Sequence, residues 1–285
     1  MIGSAAHQIG SGVKDTVRDR ATSSFGSLMR SYFSLTSPDG DSIMHEKWDQ
    51  LVILDGCRYD TFREYNTLEG ALSTRISHGA QTPDFLHRNF SGASFPDTVY
   101  VTANPIHRVT EWCNVELDTV FHEVVDVWAD KWDDEFGTVT PEDMVEATRR
   151  VYERYPERRV IAHFIQPHYP FIGPTGQDID HSGLNGKDRA EQGSDATDER
   201  TVWTAAREGD LAIEQVRAAY EENLRLTLPH VRELLAEFDG TTVVTSDHGN
   251  HLGEFATPFP IRLYGHPEGV RTPELIKVPW LVADE

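Results

Sequence analysis

Lysine is nearly absent from this chain. Of 26 basic residues in 285, only Lys14, Lys47, Lys131, Lys187 and Lys277 are lysines, while aspartate and glutamate together number 47. The formal net charge of -21 repels a phosphate backbone, so nucleic acid is excluded as a partner. Cysteine is scarce as well. Cys57 and Cys113 stand alone, with no C-x-x-C pair, so no disulfide framework is expected. They read as buried thiols of a reducing compartment. No run of 18 apolar residues occurs, so no membrane-spanning helix is expected. The N-terminus lacks the apolar core of a signal peptide, and the expected compartment is the cytoplasm.

What the chain does have is centred on Thr241-Thr242-Val243-Val244-Thr245-Ser246-Asp247-His248-Gly249-Asn250. An apolar, β-branched run ends abruptly in a carboxylate, an imidazole and a glycine. Far upstream, Leu51-Val52-Ile53-Leu54 ends the same way, in Asp55-Gly56. Neither run alternates polar with apolar, which is how strands covered on both faces read. Open α/β sheets bind ligands at the carboxyl edge of their strands. Two strands that deliver Asp55 and Asp247-His248 to one edge would form a hard-metal site. The length suits one large α/β domain.

Residues 1–45 read as an N-terminal extension. Ile9, Val13, Val17, Ala21, Phe25, Leu28, Met29 and Phe33 recur every three or four positions, the stripe of an amphipathic helix. Such a stripe can pack on its own domain, meet a membrane surface as a peripheral contact, or take a partner helix. The main domain occupies 46–285. Thr82 before Pro83 predicts a helix start with Thr82 as N-cap. Strands are expected at 51–55, 97–103, 159–165 and 277–282, and helices at 141–155 and 205–238. The stretch 112–132 carries no clear period. Residues 173–202 are polar and read as an insertion or active-site lid. Strands alternating with helices predict a three-layer α/β/α sandwich on a mostly parallel central sheet.

Five motifs stand in order: Val52-Ile53-Leu54-Asp55 with Arg58 after it; Gly79-Ala80-Gln81-Thr82-Pro83-Asp84; Pro167-His168-Tyr169-Pro170-Phe171; Ser246-Asp247-His248-Gly249 with Leu252-Gly253-Glu254; and Gly265-His266 leading to Val278-Pro279. On these, residues 48–283 resemble the alkaline phosphatase superfamily, in its sulfatase and phosphoglycerol-transferase branch. The resemblance implies one divalent metal, Mg²⁺, Mn²⁺, Ca²⁺ or Zn²⁺, held by Asp55, Asp247, His248 and the nucleophile. It implies that the nucleophile is Thr82, with Ser77 as its rival. The Cys-x-Pro-x-Arg run from which sulfatases make formylglycine is missing. His168, His266 and Arg58 would then bind substrate, and Asp60 would either add a carboxylate to the metal or lie on a helix surface.

The expected function is metal-dependent hydrolysis or transfer of a phosphate ester through a Thr nucleophile. Its substrate would be a small-molecule, glycan or lipid-linked ester. A sulfatase acting without formylglycine and a catalytically silent metal-binding interaction module are the alternatives. The acidic, lysine-poor surface resembles the proteins of salt-loving archaea, since salt screens the self-repulsion of so charged a compact state.

Overall fold

The computed structural model describes residues 26–179, 186–192 and 201–283. The start of the predicted amphipathic stripe, and parts of the polar insertion, lie outside the described residues. Helix α1 covers residues 26–36. It is followed by β1 (Gln50–Leu54), α2 (Tyr59–Tyr65), β2 (Ala71–Ile76), α3 (Thr82–Phe90) and β3 (Phe95–Thr102). Next come α4 (Leu117–Val120), β4 (Phe121–Asp126), α5 (Val127–Asp130), the short pair β5 (Trp132–Asp133) and β6 (Thr138–Val139), α6 (Pro141–Arg154) and β7 (Arg159–Phe164). The chain continues through α7 (Pro174–Gln177), α8 (Gly186–Gln192), α9 (Val202–Glu208) and α10 (Ile213–Glu237). It closes with β8 (Thr242–Thr245), β9 (His251–Phe255), β10 (Arg262–Gly265), α11 (Pro273–Ile276) and β11 (Lys277–Ala283).

Seven strands form one sheet in the order β2-β11-β8-β1-β7-β3-β4. Strands β8, β1, β7, β3 and β4 run parallel; β11 runs antiparallel to both β8 and β2. Each apolar run in the middle of the sheet is buried on both faces, as the lack of alternation requires. Val52 and Leu54 of β1 pack with Met144 and Val145 of α6 and Leu228 and Val231 of α10. Leu51 and Ile53 turn the other way, onto Phe85, Leu86 and Phe90 of α3. These are the three layers of the predicted sandwich. Helix α6 begins as its sequence signal required, with Thr140 Oγ accepting from the Asp143 amide at 3.2 Å and Pro141 in the first turn.

The predicted helix 205–238 is two helices. Gly209 takes a left-handed conformation (φ +84°) that caps α9, as a glycine just past a helix end does. Two strands, β2 and β4, carry no sequence signal because they lie toward the sheet's edges and are half exposed. Within α1, Met29 and Phe33 are buried against Leu263, Val270 and Leu275, so this part of the stripe packs on its own domain. In the polar insertion, the Thr175 amide donates to Glu222 of α10 at 2.8 Å, which ties α7 down. No helix among the described residues is long and apolar enough to cross a membrane.

Candidate metal centre and active site

Four neighbouring strands, β8, β1, β7 and β3, run parallel and send their loops to the same edge. β1 delivers Asp55, β8 delivers Asp247 and His248, β7 delivers His168, and β3 delivers Asn104. The loop after β1 must turn hard against the loop after β8. Gly56 does this with φ +62°; a Cβ there would lie 2.5 Å from Asn250 Nδ2. The turn aims the Gly56 amide at Asp247 Oδ1, 3.0 Å away. The His248 amide donates to the same oxygen at 2.9 Å.

Thr82 Oγ reaches into this group from the first turn of α3. It donates to Asp247 Oδ2 at 2.8 Å and lies 3.4 Å from Asp55 Oδ2 and 3.3 Å from His248 Nε2. The predicted cap register is corrected by one residue. Gln81 is the N-cap, Thr82 is the first helical residue, and no side chain caps the helix. The threonine hydroxyl is spent on the two carboxylates and the imidazole instead. The rival Ser77 is a structural clip: its hydroxyl donates to the Asp247 carbonyl and accepts from the Gly79 amide.

The donor set fits a divalent cation. Asp55, Asp247 and His248 are all buried, and one ligand atom of each lies within 4.8 Å of the others. Asp55 Oδ2 accepts from Asn104 Nδ2 at 2.6 Å, while its buried Oδ1 has no hydrogen-bond partner among the described residues. A buried carboxylate oxygen without a donor is costly unless a cation meets it. His248 Nδ1 donates to the Gly249 carbonyl at 2.7 Å, and Nε2, the ring nitrogen turned to the centre, lies 3.6 Å from Asp55 Oδ1 and 3.4 Å from Asp247 Oδ2.

The electrostatics agree. Burial, and then the charge of Asp247, push the Asp55 carboxyl well above its ordinary range. Burial also pushes Asp247 upward, but His248, His163, the Gly56 amide and Thr82 outweigh it and hold Asp247 below the usual value. Two carboxylates this close in a dry pocket cannot both ionise alone. A divalent cation would supply the countercharge that this pair of carboxylates calls for.

No family model and no curated relative matches the chain. Solved structures do. The C-terminal periplasmic domain of EptC from Escherichia coli, a complex with zinc, superposes with a TM-score of 0.52 at 13% identity, over 87% of this chain and 77% of that one. The chain has the alkaline phosphatase-like fold. Two further structures stand beside it. The soluble domain of lipooligosaccharide phosphoethanolamine transferase A from Neisseria meningitidis has a TM-score of 0.49 at 12% identity, over 86% of this chain and 79% of that one. An alkaline phosphatase superfamily protein from Vibrio parahaemolyticus has 0.47 at 10%, over 84% and 60%.

Within this alkaline phosphatase-like fold, two more predicted residues meet the centre. His168 Nε2 and His266 Nε2 face each other at 3.0 Å, and the His266 ring centroid lies 4.7 Å from that of His248. His168 Nδ1 donates to the Tyr169 carbonyl at 2.7 Å. Burial lowers His168 to about 4. It lowers His266 well below the ordinary value too, with His248 and His168 adding to the shift. Both rings are therefore neutral at pH 7.

Arg58 points elsewhere. It forms a two-pronged pair with Asp60, at 2.9 and 2.6 Å, and bonds to Glu254 at 2.6 Å and to the Asn250 carbonyl at 3.2 Å. It ties the loop after β1 to β9, and Asp60 is engaged there rather than at the carboxylate pair. A cavity of about 1460 Å³ opens on Asp55, Thr82, Asn104, His168 and His266 and continues to α1. Arg58 is not among its lining residues.

Sequence reasoning missed Asn104 and His163. Asn104 follows the end of β3 as Asp55 follows β1, and that shared edge was the available signal. Its Oδ1 accepts from the Ile106 amide at 3.0 Å, so the amide donor is locked toward Asp55. His163, on β7, lies across β1 from Asp247, with Nε2 3.8 Å from Oδ2 and Nδ1 2.6 Å from the Tyr100 hydroxyl.

Proposed function

We propose that this protein is a metal-dependent enzyme that cleaves or transfers a phosphate ester through Thr82. The observation that carries this reading is the position of Thr82 Oγ within 3.4 Å of Asp55, Asp247 and His248. These four side chains would hold the cation, which would neutralise the ester and lower the pKa of a hydroxyl beside it. Thr82 gives its proton to the carboxylate it already contacts and forms the new bond from Oγ to phosphorus. The bond from phosphorus to the ester oxygen breaks, and that oxygen takes up the proton that Thr82 gave to the carboxylate, while the neutral His168–His266 pair lines the space it leaves through. Water or a second alcohol then takes the phosphoryl group from Thr82 and restores its hydroxyl. Asn104 holds Asp55 in place throughout.

Phosphate is favoured over sulfate because Thr82 occupies the site and no formylglycine run exists. The test supplies Mn²⁺, Mg²⁺, Ca²⁺ or Zn²⁺ in turn, with 4-nitrophenyl phosphate and 4-nitrophenyl sulfate as substrates. The phosphate ester should turn over, Thr82→Ala should lose at least about a thousandfold, and Thr82→Ser should keep part of the rate. A capping threonine would cost only about 1 kcal/mol of stability and no catalysis. Wild-type turnover in Thr82→Ala would overturn the assignment.

A further inference from the structure

The cavity at Thr82 is larger than a phosphate group needs. Its volume of about 1460 Å³ exceeds the roughly 300–1,000 Å³ of pockets that hold drug-sized ligands. The organic part of the ester therefore has room of its own. One wall is the turn at 111–114, where Glu111, Trp112 and Asn114 line the same space as Asp55 and Thr82. The turn is pinned from beneath. The amides of Trp112 and Cys113 both donate to the Val109 carbonyl at 2.9 Å, and Cys113 and Val115 are buried in the core. Trp112 and Asn114, the alternate positions, face outward.

Trp112 is 40% exposed, and the Arg189 guanidinium lies 4.8 Å from its ring centroid. A cation over the ring steadies it, while the exposed part of the indole remains open to the cavity. An open indole between a carboxylate and an amide suits one chemistry well. The apolar C–H face of a sugar ring can lie on the indole. The carboxylate accepts from two hydroxyls, and the amide both donates and accepts.

We propose that the organic part of the ester is a sugar, seated on Trp112 with its hydroxyls held by Glu111 and Asn114. The proposal rests on the reading of Thr82 and its neighbours as the ester-cleaving centre. Arg30, Arg88 and Arg271 line the cavity beside Asp39, Asp84 and Glu268, charges of both signs, so the choice of organic group rests on the turn at 111–114.

The test measures binding by calorimetry and turnover by initial rates, with Mn²⁺ present. The probes are glucose 1-phosphate, glycerol 1-phosphate and uridine 5′-monophosphate. Wild-type protein should bind glucose 1-phosphate at least tenfold more tightly than either other ester. Trp112→Ala should abolish that preference while leaving glycerol 1-phosphate binding unchanged, and Trp112→Phe should retain part of it. Glu111→Gln, an isosteric exposed change, should weaken glucose 1-phosphate alone. Equal binding of the three esters by wild type, a preference for the nucleotide, or a preference that survives Trp112→Ala would overturn the proposal. A Trp112-dependent preference without turnover of any ester would keep the sugar site and refute the Thr82 mechanism. Turnover that Thr82→Ala abolishes, with no Trp112 effect on binding or KM, would do the reverse.

Discussion

Asp247 holds more of the centre together than any other side chain, because one oxygen takes two amides and the other takes Thr82. Removing it outright would leave those amides unpaired, at about 1–3 kcal/mol each. Asp247→Asn keeps an acceptor at that position and removes the charge. It should release the bound divalent ion, measured by elemental analysis, and end turnover with little change in melting temperature. Retained metal would contradict the ligand assignment. Asn104→Ala should weaken metal affinity by about 10–100-fold, the usual effect of losing a group that orients a ligand. The histidines set a pH dependence. Burial lowers His163 and His168 to about 4, against about 6.5 for the unfolded chain. Between these values the unfolded state binds more protons, so stability is full above about pH 6.5 and falls as pH drops toward 4. The melting temperature of metal-free protein should decline through that window, and His163→Gln should flatten the decline. A flat profile in wild type would contradict the buried neutral imidazoles.

Helix α3 fixes Thr82, and its start depends on Gly79. A Cβ at Gly79 would lie 2.3 Å from the Phe85 amide nitrogen and 2.5 Å from its Cα. Gly79→Ala must push the helix away from the sheet edge and carry Thr82 with it. Turnover should fall by at least tenfold at unchanged metal content, with a loss of stability of about 1–3 kcal/mol, typical of overpacking. Unchanged kinetics would mean that the helix start is more pliant than its contacts imply. The elements that the sequence made legible are those buried on both faces. The runs ending in Asp55 and Asp247 could be read directly, and with them most of the centre. Edge strands β2 and β4 were not legible, since their half-exposed residues mix Ser, Thr, Arg, His and Glu among apolar ones. The break between α9 and α10 was missed because one glycine in an amphipathic pattern does not by itself end a helix. The direction of the Arg58 side chain was not legible for a different reason. Spacing brings it to the right loop, but its direction is decided by Asp60 and by Glu254, about two hundred positions away in the chain.

At the scale of the molecule, the charge of -21 predicts a response to salt. Raising KCl to about 1 M shrinks the screening length to about 3 Å and should raise the melting temperature well beyond the gain seen by 0.15 M. A flat or falling curve would contradict the salt-adapted reading. The sheet order carries a further consequence. Strand β2 is made early, yet among the described residues it pairs only with β11, near the far end of the chain. Gly56 likewise waits for Asp247, 191 positions later. While the chain emerges from the ribosome, β2 presents a bare edge open to any passing strand, and the centre cannot capture an ion. A chain cut before Lys277 keeps every ligand of the centre but leaves β2 without its partner, and should therefore clump during synthesis. In a pulse-labelled translation, ion uptake would mark the moment at which the late strands slot into place.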